Sequence, residues 1–352
     1  MRASTMLLRL AHRAAVCTAC VFSLVTPASG KQRPQIAPDI HVSVDRVNVG
    51  VLVTDSRGQF VGGLSREDFR VFDDGVQQPI TDFLSADDPA QVLLLIEAGP
   101  AVYLLQGGHL QAVHALLEGL SPSDRVAIAR YNEAAEPILN FTPDKVVAAS
   151  ALEQLRFNLG FGQLNLASSL TTALDWLARV PGKKSLVLLS TGVDTSLPTA
   201  LQNLLARLKS SDVRVLAVSL GAELRVSSPT KRKRSNKAAA PPEQTQTVNQ
   251  AFAQADAELR AIAESNGGRV YFPVSSEDFA EVFSQIAQLV RHEYNLGFNP
   301  PVHDGKIHLI DVRVSIPTGT ASASPASASL TDSAYRVDHR QAYLAPSPDH
   351  QN

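Results

Sequence analysis

Apolar and polar positions change their period three times along the chain. Between Asp39 and Phe83 the apolar residues recur at every second position, first Ile40, Val42 and Val44, then Val49, Val51 and Val53, which is the pattern of half-buried strands. Asp55-Ser56-Arg57-Gly58 predicts a turn before Phe60-Val61. Ser65 is placed to cap a short helical turn through Asp68, and Asp74-Gly75 after Arg70-Val71-Phe72 is a hairpin signal. At Gln91 the alternation stops. Val92 to Ile96 form an unbroken apolar run that ends in Glu97 and a Gly-Pro turn, so this strand is buried on both faces and delivers Glu97 to its carboxyl end. In an open α/β sheet that end is where ligands bind.

Helical and strand patterns then alternate. Helices are predicted over Tyr103 to Leu120, Asp144 to Leu155, Leu166 to Ala178, Leu201 to Leu208, Ala251 to Glu264 and Glu277 to His292. Strands are predicted over Arg125 to Tyr131, Pro137 to Phe141, Ser185 to Leu189, Val213 to Leu220 and Arg269 to Phe272. Such alternation specifies a doubly wound, mostly parallel sheet in an α/β domain. After it, Lys306 to Ser315 and Tyr335 to Leu344 return to strand-like patterns. Four or five short strands at the N-terminal side do not make a stable sandwich alone. The expectation is therefore one small β-sandwich built from both chain ends, with the α/β domain inserted between them. One interval, 223–250, loses its periodicity; Lys231-Arg232-Lys233-Arg234, Ala238-Ala239-Ala240 and Pro241-Pro242 predict a disordered, solvated insertion there.

Composition adds a compartment. Arg2, Arg9 and Arg13 precede a weakly apolar run from Ala14 to Val25 and the small residues Pro27-Ala28-Ser29-Gly30, which predicts an export signal over 1–30 with cleavage near Gly30. The run is shorter than the ~20 apolar residues a membrane span needs, and no later segment is predicted to span. Both cysteines, Cys17 and Cys20, fall inside this signal, so the mature chain is expected to have none. Cys17 stands where a lipoprotein site at Cys20 wants a Leu-like residue. Removing three arginines and no acid takes the net charge from -2 to -5, which gives no basic footprint for nucleic acid.

The order of motifs resembles a known family. Val51-Leu52-Val53-Thr54-Asp55, then Gly62-Gly63-Leu64-Ser65-Arg66-Glu67-Asp68-Phe69 and Val71-Phe72-Asp73-Asp74-Gly75, are similar to the opening strands of the von Willebrand factor type A (VWA) related proteins abundant in Acidobacteria. Leu120-Ser121-Pro122-Ser123-Asp124-Arg125, Leu188-Leu189-Ser190-Thr191-Gly192-Val193-Asp194-Thr195, Tyr294-Asn295-Leu296-Gly297-Phe298-Asn299-Pro300 and Arg340-Gln341-Ala342-Tyr343 match later segments in the family's order. The resemblance covers nearly the whole mature chain and, after the signal peptide read at 1–30, implies an N-terminal β (Ig-like) segment at 38–84, a VWA (Rossmann-like) domain at 90–293 and a C-terminal β segment at 294–345.

It also implies a place for a metal-ion-dependent adhesion site, in which Mg²⁺ takes hydroxyl and carboxylate oxygens. The family supplies them from a D-x-S-x-S turn, a Thr and a distal Asp. Here the turn reads Glu97-Ala98-Gly99-Pro100-Ala101, the Thr position is Leu164 and the distal Asp position is Thr191, so all five positions have changed. Oxygens remain nearby on Glu97, Asn165, Thr191 and Asp194, but the set does not suit a cation that gives up its water reluctantly, and no metal or other cofactor is expected.

Catalytic signatures are missing from the sequence. It contains no G-x-S-x-G elbow, no H-E-x-x-H and no paired C-x-x-C. Gly160-Phe161-Gly162 lacks the third glycine and the preceding strand of a phosphate loop. His109 and His114 stand about 140° apart on a helix and make no ligand pair. Strand parity sets His303 and His308 on opposite faces, and with Asp304 they are expected to be surface polar residues; Trp176 is expected in the core. The sequence therefore predicts an exported, non-enzymatic protein-interaction module with no catalytic residues. Its partner is an unidentified protein met through the apical loop residues Glu97, Pro100, Tyr103, Asn165, Thr191 and Asp194. The alternatives are a structural spacer of a cell-envelope or secreted assembly, ion-dependent adhesion through a rebuilt site, or a hydrolase with an unforeseen pocket.

Overall fold

The computed structural model describes residues 46–103, 108–157, 163–227, 242–315 and 335–347. The predicted export signal, the Ile40-Val42-Val44 alternation, Gly160-Phe161-Gly162 and the basic run at 231–234 lie outside the described residues.

The first strands are β1 (Val47–Asp55), β2 (Phe69–Asp73), β3 (Val76–Gln78) and β4 (Asp82–Leu84). The inserted region contains β5 (Ala90–Glu97), α1 (Pro100–Tyr103), α2 (Gly108–Gly119), β6 (Arg125–Tyr131), β7 (Ala135–Thr142), α3 (Lys145–Glu153), α4 (Leu166–Ala178) and β8 (Lys183–Ser190). It continues with α5 (Pro198–Ser210), β9 (Arg214–Ser219), α6 (Gly221–Ser227), α7 (Pro242–Glu264), β10 (Arg269–Tyr271) and α8 (Ser276–His292). The chain then returns to strands: β11 (Tyr294–Phe298), β12 (Ile307–Val314), β13 (Tyr335–His339) and β14 (Ala342–Leu344).

The inserted region forms a six-stranded sheet in the order β10-β9-β8-β5-β6-β7, parallel throughout except for the antiparallel edge strand β7. Strand periodicity divides the central strand β5 between two cores. Val92, Leu94 and Ile96 pack with apolar residues of α2, α3 and α8. Leu93 and Leu95 pack with those of α4, α5 and α7. This double cover explains the unbroken apolar run in the sequence.

The two ends of the chain pair directly. β1 lies between β13 and β11 in the sheet β13-β1-β11-β4, and β2 pairs with β12 in the sheet β14-β12-β2-β3. Val47, Val49, Val51 and Val53 of β1 meet Phe69, Val71, Tyr294, Leu296, Ile310, Val312 and Tyr343 in a third core between these antiparallel sheets. The β2–β3 turn has Asp74 at φ 47 and Gly75 at φ 81, the two positive values a tight two-residue hairpin requires.

Buried polar groups join the sandwich to the base of the inserted domain. Arg214 Nε donates to Glu293 Oε1 at 3.1 Å, and its Nη2 donates to the Gly50 carbonyl at 2.9 Å. Gly50 admits this approach because a Cβ there would stand 1.8 Å from Glu293 Oε1. Arg340 donates to the Ser211 and Asn48 carbonyls at 2.9 and 2.7 Å, and Lys183 donates to the Ala86 carbonyl at 2.8 Å. Burial lowers the pKa of Arg340 to about 10 and also pushes that of Lys183 down.

Three expectations are corrected. The interval 223–250 is helical at both ends, through Ser227 in α6 and from Pro242 in α7. Proline suits a first helical turn, and polar helix formers follow it without the apolar repeat that marks a helix in sequence. Trp176 is only half-buried, edge-on to Phe141 with ring centres 5.5 Å apart. His308 is buried rather than superficial, because β12 turns His308, Ile310 and Val312 inward and leaves Ile307 and Leu309 exposed.

Candidate functional site

Three strands end side by side at the apical edge of the sheet: β6 at Tyr131, β5 at Glu97 and β8 at Ser190. Glu97 stands opposite Tyr131, and Ile96 opposite Leu189, so Ser190 comes level with Glu97. All three residues, and Thr191 after them, are buried.

The Glu97 carboxylate is enclosed by donors from this set. Its Oε2 accepts from the Thr191 amide at 2.7 Å and the Thr191 hydroxyl at 2.9 Å, and lies 3.2 Å from both the Ser190 and Tyr131 hydroxyls. Oε1 lies 3.0 Å from the Thr191 hydroxyl. The Tyr131 and Ser190 hydroxyls are themselves 2.7 Å apart, so one proton of that pair joins them and the other remains for the carboxylate. Burial pushes the Glu97 carboxyl up despite these bonds, since removing it from water outweighs them. Burial and the nearby Glu97 charge likewise push the Tyr131 phenol up.

Around this buried group the loops are tied to one another. Thr195 donates its amide to the Leu164 carbonyl at 2.8 Å, and its hydroxyl lies 3.0 Å from the Leu164 amide, which donates to it. Leu164 Cδ2 comes within 3.1 Å of where a Cβ would stand on Gly99, a position 3.5 Å from Glu97 Oε1. A methyl group thus lies over the turn beside the carboxylate.

Asp194 Oδ2 accepts from the Ala167 amide at 3.0 Å, in the first turn of α4, and Oδ1 from the Ser196 amide at 2.8 Å. It serves α4 as an anionic cap supplied from another loop. Asn165 precedes α4 without capping it; its Nδ2 donates to the Glu133 carbonyl at 2.9 Å.

Of the six residues singled out from the sequence, the fold brings Glu97 and Thr191 into direct contact. Asn165 and Asp194 flank them but spend their polar atoms on loop and helix ends. Pro100 opens α1 and is exposed, and Tyr103 closes it. Tyr131 and Ser190 were not anticipated, although each is a hydroxyl residue at the last position of a buried strand. The same edge presents Val193 and Leu197, the latter 75% exposed.

No helix among the described residues is long and apolar enough to cross a membrane. A profile of the von Willebrand factor type A domain matches residues 109–285. Among solved structures, the chain is similar to the conserved hypothetical protein BatB from Bacteroides thetaiotaomicron at 13% identity and a TM-score of 0.40, over 57% of this chain and 99% of that one. It is also similar to a von Willebrand factor type A protein from Catenulispora acidiphila at 13% identity and a TM-score of 0.44, over 80% of this chain and 74% of that one. No curated protein matches the chain. VWA domains are in general interaction modules rather than enzymes. With the profile spanning half of the chain, from α2 into α8, this protein belongs to the von Willebrand factor type A domain family.

Proposed function

We propose that this chain is an exported, non-enzymatic interaction module, of the acidobacterial VWA-related type, that binds its protein partner without an adhesion-site ion. The observation that carries this reading is the enclosure of Glu97. A Mg²⁺ ion needs several oxygens free to turn their lone pairs to a common point. Here the Glu97 carboxylate is taken up by Thr191, Ser190 and Tyr131, and the Leu164 methyl group occupies the approach beside Gly99. The residues present do not fit the ion. Recognition is left to the loop surface itself, where Leu197 and Val193 offer exposed apolar groups in the loop that carries Asp194.

Calorimetry with Mg²⁺ and Mn²⁺ tests the first half of the reading, and partner capture from the source organism's envelope fraction tests the second. The expected result is no saturable heat with Mg²⁺ and no Mn²⁺ heat that Glu97→Ala abolishes, with one partner retained by Glu97→Gln and lost from Leu197→Asp. Micromolar Mg²⁺ binding abolished by Glu97→Ala would restore ion-dependent adhesion. Capture indifferent to Leu197→Asp would move the interface away from the apical edge.

A further inference from the structure

The β2–β3 turn carries two aspartates, and both aim an oxygen at one histidine of β12. His308 Nδ1 lies 3.2 Å from Asp73 Oδ1 and 3.0 Å from Asp74 Oδ2. The other oxygen of each carboxylate is already held. Tyr343 donates its hydroxyl to Asp73 Oδ2 at 3.1 Å, and the Leu309 amide donates to Asp74 Oδ1 at 2.9 Å. Across the ring, His308 Nε2 lies 3.2 Å from Asp304 Oδ1. Asp73 and His308 are buried, whereas the Asp74 side chain is 53% exposed and leaves one side of the cluster open to water.

This convergence is more than a hydrogen bond uses. A ring nitrogen carries at most one proton, so Nδ1 gives a full hydrogen bond to one carboxylate only. Two reach it at nearly equal distance. A tetrahedral ion with bonds of about 2.0 Å to nitrogen and oxygen sets its ligand atoms about 3.3 Å apart, close to both separations. Asp304 stands where a carboxylate accepts the second ring N–H of a metal-bound histidine and fixes its tautomer. The charges agree as well. Asp73, Asp74 and Asp304 bring three negative charges to the ring, and Lys306, 3.7 Å from Asp304, returns one positive. A doubly charged cation balances the remainder when His308 is neutral.

We propose that His308 Nδ1, Asp73 Oδ1 and Asp74 Oδ2 form a binding site for one divalent transition ion of the zinc class, with a fourth position open to water. The imidazole nitrogen selects this class over Mg²⁺ and Ca²⁺, which take oxygen sets. Asp73 and His308 are 235 positions apart, so the ion ties the N-terminal hairpin to the C-terminal strand across the whole inserted domain. The site belongs to the sandwich and stands independently of the apical edge.

The test uses the untagged full chain, stripped with a chelator and titrated with Zn²⁺, Co²⁺ and Mg²⁺ by calorimetry, thermal melting and visible absorption. The expected result is one equivalent of Zn²⁺, a Tm rise of about 5 °C or more at saturation, the visible bands of tetrahedral Co²⁺, and no response to Mg²⁺. His308→Gln and Asp74→Asn are each expected to weaken Zn²⁺ at least about tenfold. Asparagine tolerates the positive φ at position 74, so Asp74→Asn decides the matter even if His308→Gln does not fold. Absence of saturable Zn²⁺ and Co²⁺ binding, or undiminished binding by Asp74→Asn, overturns the site and leaves an imidazolium held between carboxylates.

Discussion

Replacing Glu97 by alanine or glutamine separates the two things its carboxylate does at the apical edge: it accepts hydrogen bonds, and it carries a charge that burial opposes. Alanine removes the acceptor and leaves the Thr191 amide, the Thr191 hydroxyl and one proton of the Tyr131–Ser190 pair facing a void. The hydroxyls can turn to other partners, but the amide cannot. With that one orphaned buried donor costing about 1–3 kcal/mol, Glu97→Ala is expected to destabilise by about 1–3 kcal/mol. Glutamine keeps one oxygen for the amide and turns its NH₂ to the Thr191 hydroxyl, which accepts as readily as it donates. Because burial raises the Glu97 pKa above its unfolded value of 4.5, the folded protein binds that proton more tightly than the unfolded chain does. Its contribution is fully present below the unfolded pKa and is lost as pH rises through the folded one. Glu97→Gln should therefore gain on the wild type as pH rises above 4.5, and at neutral pH it should be at least as stable. Urea unfolding followed by circular dichroism, at several pH values, measures all three proteins. If glutamine costs as much as alanine and loses further on the wild type as pH rises, the negative charge itself is being used, and the ion-free reading of this edge fails.

His109, at the start of α2, is buried, and neither ring nitrogen finds a hydrogen-bond partner among the described residues. Burial lowers its pKa from 6.5 to about 4, so the folded state favours the neutral ring and stability is lost as pH falls between those values; the full effect is about 3 kcal/mol. His109→Leu should abolish that acid-sensitive component in the same urea series, and an unchanged pH dependence would refute the assignment. At the junction, Arg214→Met should cost about 3–5 kcal/mol because it leaves Glu293 charged and buried, whereas Arg214→Met with Glu293→Met should cost less than the sum of the two single changes. Additive costs in a double-mutant cycle would mean that Arg214 acts through the Gly50 and Gly267 carbonyls rather than through Glu293.

Periodicity carried most of the fold. The unbroken run at 92–96 announced a strand covered on both faces, and the period-two segments at the two chain ends announced strands short of partners, which they find in one another. Periodicity failed where both parities carry apolar residues. In β12 either Ile307 and Leu309 or Ile310 and Val312 could have faced the core, and only the pairing with β2 and the packing on Phe298 and Tyr343 decide for the second set. His308 shares that parity, so its burial followed from a choice the local sequence does not make. The apical edge was legible only in part for a similar reason. A strand pattern locates where β5, β6 and β8 end, but the sheet order alone brings Tyr131, Glu97 and Ser190 together.

The two ends of the inserted domain explain why a fixed platform suits this chain. At the base, Arg214 bridges Glu293 and the Gly50 carbonyl while Arg340 spans the Ser211 and Asn48 carbonyls, so sheet and sandwich share buried hydrogen bonds that are costly to break. At the apex, Glu97 and Thr195 hold three loops to one another from beneath. Apolar groups such as Leu197 are then displayed on backbone already ordered by these bonds. A partner docking there meets loops whose conformational entropy was spent on folding, and it loses less of its binding energy to ordering them. On the proposed reading, the buried carboxylate would contribute to recognition indirectly, by fixing the surface above it.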